Sequence, residues 1–437
     1  MLLRSTRSSR SEGAAPPTVS LLDGALAGLA PDGGLYMPTS WPTLPPPPGD
    51  LPREAGATAG WVAPRLLGGA GDREAIPWAR IAREALDFPI PLRSVGPDLR
   101  LLELFHGPTL SFKDVGARFL ARLLRYGADG PRTILVATSG DTGGAVAHAV
   151  RDVPGMRAVV LFPRDRVSPF QRRQFTAAAD NVLAVEVDGP FDRCQALVKG
   201  LLADPAARER FGLTSANSIN PARLLPQTFY YLHLARLLGW ASSAVPGPVV
   251  VPSGNLGNVT AGVLARRGGA PLGPLVAACN RNDALVQFQR DGVTREVPVH
   301  PTRSSAMDVG RPSNLERLEH LFGHDAGALA REVPAVRVSE GETRDAMAWA
   351  WETHGTLLDP HTAVGVAAVR RGGLPGGGTA TVLATAHPAK FADTVRDATG
   401  QDPQPPAHAR DAGRAEHMVR LSGDVEALAT LLEETAR

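Results

Sequence analysis

Val249-Val250-Val251-Pro252-Ser253-Gly254-Asn255-Leu256-Gly257-Asn258 carries the plan of the fold in ten residues. Three β-branched residues, apolar on both faces of a strand, run into small hydrogen-bonding residues and then into a helical pattern from Val259 to Arg266. A strand of that kind suits a position buried on both sides of a parallel sheet. Glycine at 254 and 257 lets the main chain approach an anion with no side chain between them, and a helix N-terminus favours negative charge. On its own the segment reads either as an anion cradle or as a tight strand-to-helix turn.

The same texture extends outward in both directions. Val-rich runs at Thr133 to Ala137, Ala158 to Phe162, Val182 to Val187, Leu275 to Ala278 and Thr381 to Ala384 each precede a Gly- or Ser-rich turn. Helical patterns lie between several of them, as at Gly143 to Val150 and Phe191 to Leu202. Strand, turn and helix in alternation predict an α/β fold with mainly parallel sheets. No fixed-period repeat is present, which excludes a solenoid. A second loop of the cradle type runs Ala137-Thr138-Ser139-Gly140-Asp141-Thr142-Gly143-Gly144. Two such loops point to a ligand with two anionic ends, although Thr138, Ser139 and Asp141 serve equally as helix caps.

The chain of 437 residues is long enough for two or three domains. Its first ninety or so residues hold the turn Asp32-Gly33-Gly34 and the rigid run Pro45 to Pro48, and read as an accessory N-terminal domain. Basic residues number 46 against 44 acidic and are dispersed, which argues against nucleic acid or an anionic membrane as partner. No apolar run approaches the roughly 20 residues that span a bilayer. Two cysteines, Cys194 and Cys279, are too few for a disulfide framework and lack zinc-site spacing, so a soluble protein of the reducing cytoplasm is expected, with no metal. Met1 to Arg10 is rich in Arg and Ser and free of acids, as an organelle transit peptide or an ordinary chain start would be.

Only three of the 46 basic residues are lysines: Lys113, Lys199 and Lys390. Guanidinium is no nucleophile at neutral pH, so a drift toward Arg spares Lys chiefly where an amine is required. Lys113 lies in His106-Gly107-Pro108-Thr109-Leu110-Ser111-Phe112-Lys113-Asp114, just before a helical pattern. A helix N-terminus disfavours a cation there and favours the free amine of Schiff-base or proton-transfer chemistry; the other reading is a solvated surface lysine. Lys199 reads as a solvent-facing helix residue, and Lys390 follows a proline turn that suggests a helix start.

Leu104 to Asp114 resembles the threonine synthases, in which this phrase contains the lysine that carries pyridoxal 5′-phosphate (PLP). The resemblance continues through Thr138 to Gly143, Phe162-Pro163-Arg164 to Ser168-Pro169, Ser215 to Arg223, Pro252 to Asn258, Ser305-Ala306-Met307-Asp308 and Thr385 to Phe391. Arg4-Ser5-Thr6-Arg7 and Leu29 to Tyr36 are similar to the family's N-terminal domain, which counts against a transit peptide.

The resemblance implies the fold-type II PLP architecture shared with tryptophan synthase β and serine dehydratases, two α/β domains with the cofactor between them plus an N-terminal domain. Boundaries are expected at 1–92 for the N-terminal domain, 93–135 with 221–437 for the large domain, and 136–220 for the small one. The implied reaction is that of a carbon-oxygen lyase on a phosphate ester: O-phospho-L-homoserine and water give L-threonine and phosphate by γ-elimination and β-addition. By carry-over, Lys113 holds PLP and moves the protons, and Ser253, Gly254, Asn255, Leu256, Gly257 and Asn258 cradle the cofactor phosphate. Thr385 stands beside the pyridine nitrogen, or caps the segment from Ala386. Thr138, Ser139, Asp141 and Thr142 receive substrate, and Asn217, Ser218 and Arg223 bind its phosphate, unless Arg223 is a surface or structural ion-pair residue. A phospho-lyase releasing 2-oxobutyrate would carry every one of these motifs. A catalytically silent binding relative is disfavoured by Lys113 in so lysine-poor a chain. Monomer and homodimer are both compatible with the sequence, the monomer slightly favoured.

Overall fold

The computed structural model describes residues 1–8, 16–69, 76–127, 129–138, 140–151, 153–164, 167–177, 179–240, 246–409 and 415–435. Its strands are β1 (Leu2–Ser5), β2 (Val19–Ser20), β3 (Tyr36–Pro38), β4 (Leu92–Ser94), β5 (Leu99–Glu103), β6 (Arg132–Ala137) and β7 (Met156–Pro163). They continue with β8 (Val182–Val187), β9 (Leu213–Ser215), β10 (Val249–Pro252), β11 (Leu275–Cys279), β12 (Ala335–Arg337), β13 (Ala380–Ala384) and β14 (Val419–Leu421). They form a three-stranded antiparallel sheet β2-β1-β3, a six-stranded sheet β12-β11-β10-β13-β5-β4 and a five-stranded sheet β14-β8-β7-β6-β9.

The valines of β10 show why the larger sheet is parallel and central. Val249, Val250 and Val251 are all fully buried. Successive strand residues face opposite sides: Val249 and Val251 join the large core that includes Phe229, Tyr231 and Val259, while Val250 joins a separate core with Met347, Val364 and Val382. Both faces being covered, β10 pairs in parallel with β11, Val249 opposite Leu275, and with β13, Val249 opposite Thr381. The exception in this sheet is β4, antiparallel to β5 at the edge. The five-stranded sheet is parallel throughout its pairings.

Sheet membership departs from the boundaries drawn at 136 and 221. β6 begins at Arg132 and belongs to the five-stranded sheet, and β14 returns from the far C-terminal part to pair with β8, Val419 opposite Val185 and Leu421 opposite Val187. A three-residue stretch such as Val419-Arg420-Leu421 has no periodicity to read. What makes it a strand is the open edge of β8, together with the ion pair of Arg420 Nε and Glu186 Oε2 at 3.0 Å.

The N-terminal region is anchored to the rest by a buried cation. Arg317, with no exposed surface, donates from Nη1 to Ser218 O at 2.9 Å and Asn314 Oδ1 at 2.5 Å, from Nη2 to Ile219 O at 2.6 Å, and from Nε to Tyr36 O at 3.3 Å. Burial pushes its guanidinium down to about 9, still charged at neutral pH. One side chain thus joins β3 to the Ser218 loop. Nearby, Arg7 and Thr6 both bond to Glu316. Among the described residues, no helix is long and apolar enough to cross a membrane. Replacing Arg317 by Met should strand several buried carbonyls and lower stability by roughly 3 kcal/mol, measured by urea unfolding; Lys, with its three donors, should recover part of the loss.

Candidate active site

In open parallel sheets, ligands bind beyond the carboxyl ends of the strands. The expected site residues gather there. The Lys113 loop follows β5, Thr385 follows β13 and the Ser253 loop follows β10, three neighbours in one sheet. Thr138 follows β6 and Asn217 follows β9, neighbours in the other.

Lys113 is the first residue of the helix Lys113–Gly127. The loop before it is fastened at both ends. Buried Asp114 accepts from Thr109 N at 2.9 Å and Thr109 Oγ1 at 2.5 Å. On the other side, Phe112 N donates to Thr385 O at 3.0 Å, His387 N donates to Leu110 O at 3.0 Å, and Ser111 bridges Ala386. The end of β13 therefore holds the lysine loop in place.

From that loop Lys113 Nζ reaches Asp141 Oδ2 at 3.1 Å, across to the other sheet's side of the site. Asp141 begins the helix Asp141–Val150 and is buried. Its Oδ1 meets Lys390 Nζ at 3.0 Å and accepts from Gln171 Nε2 at 2.7 Å. Burial works to raise the Asp141 carboxyl, but Lys113 and Lys390, with His361 and Gln171, outweigh it and hold the group far below the usual carboxylate range. Asp141, expected in the substrate loop, gives both carboxylate oxygens to protein donors. Lys390 was read only as following a proline turn at a helix start, with no role at the site: it does lie in the turn Pro388–Phe391, but it is buried and donates also to Thr109 O at 2.6 Å and Gln174 Oε1 at 2.8 Å. The scarcity of lysine was the one signal that could have found it.

Thr138 does what a cap does. Its Oγ1 accepts from Gly140 N and Gly143 N, each at 2.9 Å. Thr142 is half-buried in the next turn, and Ser139 lies outside the described residues.

The Ser253 loop is closely packed and held by hydrogen bonds. Gly254 packs so close to the Ser305–Met307 turn that a Cβ would come within 2.6 Å of Met307 Cα. Leu256 takes φ +63° immediately before the helix Gly257–Arg267. Asn255 is fully used: Nδ2 donates to Ser218 Oγ at 2.5 Å, Oδ1 accepts from Ser313 N at 2.5 Å, and its carbonyl accepts from Asn314 Nδ2 at 2.9 Å. Ser253 Oγ turns back to Val251 O at 2.8 Å. Asn258 Oδ1 accepts from Tyr230 and Tyr231 hydroxyls at 2.9 and 2.8 Å, while its buried Nδ2 has no partner among the described residues.

Arg223 is buried beside this region, so the surface reading fails. Its Nη1 donates to Ala216 O at 2.5 Å, and its buried Nε has no partner among the described residues. Burial, partly offset by Asp114, lowers it to about 10, which leaves it a cation at neutral pH. Asn217 N donates to Ser215 Oγ at 3.2 Å, and Ser218 Oγ is held by Asn255. Thr385 does not cap the following segment, because His387 takes that place, its Nδ1 accepting from Ala389 N at 3.1 Å.

Known proteins share this arrangement over the whole chain. Residues 90–386 match the family model for pyridoxal-phosphate dependent enzymes, residues 4–48 the threonine synthase N terminus, and residues 362–432 the threonine synthase C-terminal model. The threonine synthase of Escherichia coli is 43% identical over 321 residues, covering 73% of this chain and 74% of its own. The chain belongs to the threonine synthases. That of Pseudomonas aeruginosa is 35% identical over 441 residues, covering 90% of this chain and 91% of its own. The crystal structure of PLP-bound threonine synthase from Brucella melitensis superimposes with a TM-score of 0.90 at 35% identity over the full length of both chains. This threonine synthase is accordingly a PLP-dependent enzyme of the fold-type II class, acting on a small-molecule substrate.

His387, between Thr385 and Lys390, links the site to pH. Burial first, then the neighbouring His106, lower its ring to about 4 from the ordinary 6.5. The unfolded chain takes up this proton near 6.5 and the folded chain only near 4, so the contribution is complete above 6.5 and is lost as pH falls toward 4. His387→Asn keeps a capping side chain and removes the titration. Urea unfolding across that window should lose stability less steeply than in the parent; His148 and His233, also held at about 4 by burial, retain the rest of the slope.

Proposed function

We propose that this threonine synthase converts O-phospho-L-homoserine and water into L-threonine and phosphate, with Lys113 as the cofactor lysine and proton carrier. The observation that carries the reading is the Lys113 amine held at the carboxyl end of β5, beside β13 and its neighbour β10, whose loop leaves an orphaned amide at Asn258. PLP, when bound, supplies the electron sink for the carbons that lose protons.

The residues present fit that group. Backbone amides at the Gly257 helix N-terminus, with the unused Asn258 Nδ2, suit a phosphate and bring no charge with them. Gly254, pressed on Met307, keeps the cradle free of side chains. We assign Ser253 through Asn258 to this cradle, Asn255 bracing it through Ser218 and Ser313. Thr385, whose carbonyl accepts from Phe112 N in the lysine loop and whose amide donates to Thr362 Oγ1, is assigned to the pyridine edge as a neutral hydroxyl.

Lys113 Nζ is the group that takes protons from the substrate's α- and β-carbons and returns two, one to the γ-carbon, which becomes the methyl group as phosphate leaves, and one to the α-carbon. A primary amine on a flexible four-carbon stem suits proton transfer at neighbouring carbons. Substrate phosphate is assigned to Arg223, with Asn217 and Ser218. The buried Arg223 guanidinium has an unused Nε, so an arriving anion meets a cation already desolvated. Thr138 shapes the opposing loop as a helix cap, Thr142 lies one turn on, and Asp141 acts through Lys113.

The division into an N-terminal, a large and a small domain, a monomeric state and a cytoplasmic setting belong to the same proposal. Cys194 and Cys279 support the last: both are free and buried, and burial pushes each thiol up to about 12, so neither is poised to oxidise.

Incubation with O-phosphohomoserine and chromatographic separation of products should give threonine; 2-oxobutyrate as the sole product would overturn the assignment. Lys113→Ala should abolish both the visible absorbance of protein-linked PLP and threonine formation. Arg223→Met should raise KM for the phosphorylated substrate by about tenfold or more, with a smaller change in kcat; equal loss in both would place Arg223 elsewhere in the cycle.

A further inference from the structure

Two lysines share one buried carboxylate, and they are held very differently. Lys390 Nζ has three acceptors, Asp141 Oδ1 at 3.0 Å, Thr109 O at 2.6 Å and Gln174 Oε1 at 2.8 Å. Three acceptors match the three protons of an ammonium group, and its side chain has no exposed surface. Among the described residues, Lys113 Nζ has the single acceptor Asp141 Oδ2 at 3.1 Å; it lies over the face of Phe112 at 5.0 Å, and its side chain is 19% exposed.

We propose that Lys390 is a positioning residue, the permanent counter-ion of Asp141, which leaves Lys113 free to give up its own bond to that carboxylate. The inference rests on Lys113 being the cofactor lysine. An amine that joins a cofactor, and then carries protons, spends part of the cycle away from Asp141 or without its charge. A buried carboxylate stripped of its counter-ion is strongly disfavoured, more so than one that keeps a hydrogen-bonded partner. With Lys390 fixed, Asp141 keeps a full ion pair and the Gln171 bond when Lys113 leaves. Without Lys390, Lys113 would be the one lysine pairing with Asp141 and would be trapped by it.

The surroundings bear this out from each side. His361, on the helix Pro360–Arg371, is the other basic group whose field reaches Asp141, but its Nε2 accepts from Ala306 N at 3.1 Å and its Nδ1 is 2.9 Å from Asp359 Oδ1. Both ring nitrogens are engaged there and neither bonds Asp141, so among the described residues His361 does not replace the direct contact of Lys390. Gln171 and Gln174 come from the helix Pro169–Thr176, Thr109 from the lysine loop and Lys390 from the turn Pro388–Phe391. One ammonium group therefore fixes Asp141, the Gln174 helix and the Thr109 loop together, while Lys113 stays mobile.

The test compares full-length wild type, Lys390→Met, the double variant Asp141→Asn with Lys390→Met, and Lys113→Ala. Each is stripped of cofactor and given PLP; growth of the visible band is timed, and the adduct is fixed by borohydride and located by peptide mass. Lys390→Met should capture PLP about tenfold more slowly, and the double variant should return to within about threefold of wild type. A merely structural lysine would leave the double variant no faster than the single one. That result, or wild-type capture by Lys390→Met, overturns the proposal. If Lys390→Met alone fails to fold, the double variant decides: with no carboxylate to hold Lys113, capture within about threefold of wild type supports the proposal, and slower capture, or failure of both variants to fold, overturns it. An adduct away from Lys113, or a band retained by Lys113→Ala, would instead sink the cofactor-lysine reading on which this one rests.

Discussion

A carboxylate buried between two ammonium groups sets the terms for the rest of this molecule. Asp141 sits at the start of a helix packed on the five-stranded sheet, and its two lysine partners come from segments that follow β5 and β13 of the six-stranded sheet. Removing both cations from water has a large cost that only close pairing and further hydrogen bonds offset. That requirement dictates where the two halves meet, because Lys113 and Lys390 reach Asp141 only if the carboxyl ends of both sheets face one another. The knitting of Thr109, Asp114, Gln171 and Gln174 around them follows from the same need to satisfy every buried donor and acceptor.

Around this charged centre the proposed anion sites are built largely from neutral parts. The Ser253 loop presents main chain, and its shape is maintained from behind: Gly254 rests on the Ser305–Met307 turn, and Ala306 N in that turn donates to His361 Nε2. Asp308 at the end of the turn is gripped by Asn280, Asn282 and Thr302. Backbone dipoles fixed in this way need no reorganisation when an anion arrives. Arg223, proposed for the substrate's phosphate, is the charged exception.

Much of the fold was legible because the central strands have two buried faces and no polar alternation to confuse with a helix. β10, β11 and β13 appear in the sequence as Val- and Ala-rich runs ended by Ser, Asn or Thr, and the structure extends each by no more than a residue or so. β14 was not legible, since three residues at an edge acquire their conformation from β8 alone. At the site the limits were of another kind. Residue type suggested hydrogen bonding for Thr138 and Asp141 alike, but one caps its helix and the other pairs with lysines, a choice decided by which chain segments lie opposite. Thr385 lost its cap reading for the same reason: His387, two residues on, is nearer the turn it must serve.

The lysines show most clearly how composition becomes geometry. In a chain that uses Arg for nearly every cation, Lys199 is exposed on its helix and makes no demand that Arg could not meet. Lys390 occupies a closed pocket whose three acceptors converge on one nitrogen, a pattern that fits a compact ammonium and not a planar guanidinium with donors spread over a fork. Lys113 has a looser place at a helix N-terminus, where the dipole gives no support to a positive charge and one carboxylate contact retains it. Chemistry alone would explain a single retained lysine here. Two are required once the first must be free to move, because the carboxylate that holds it at rest cannot itself be left bare in the interior.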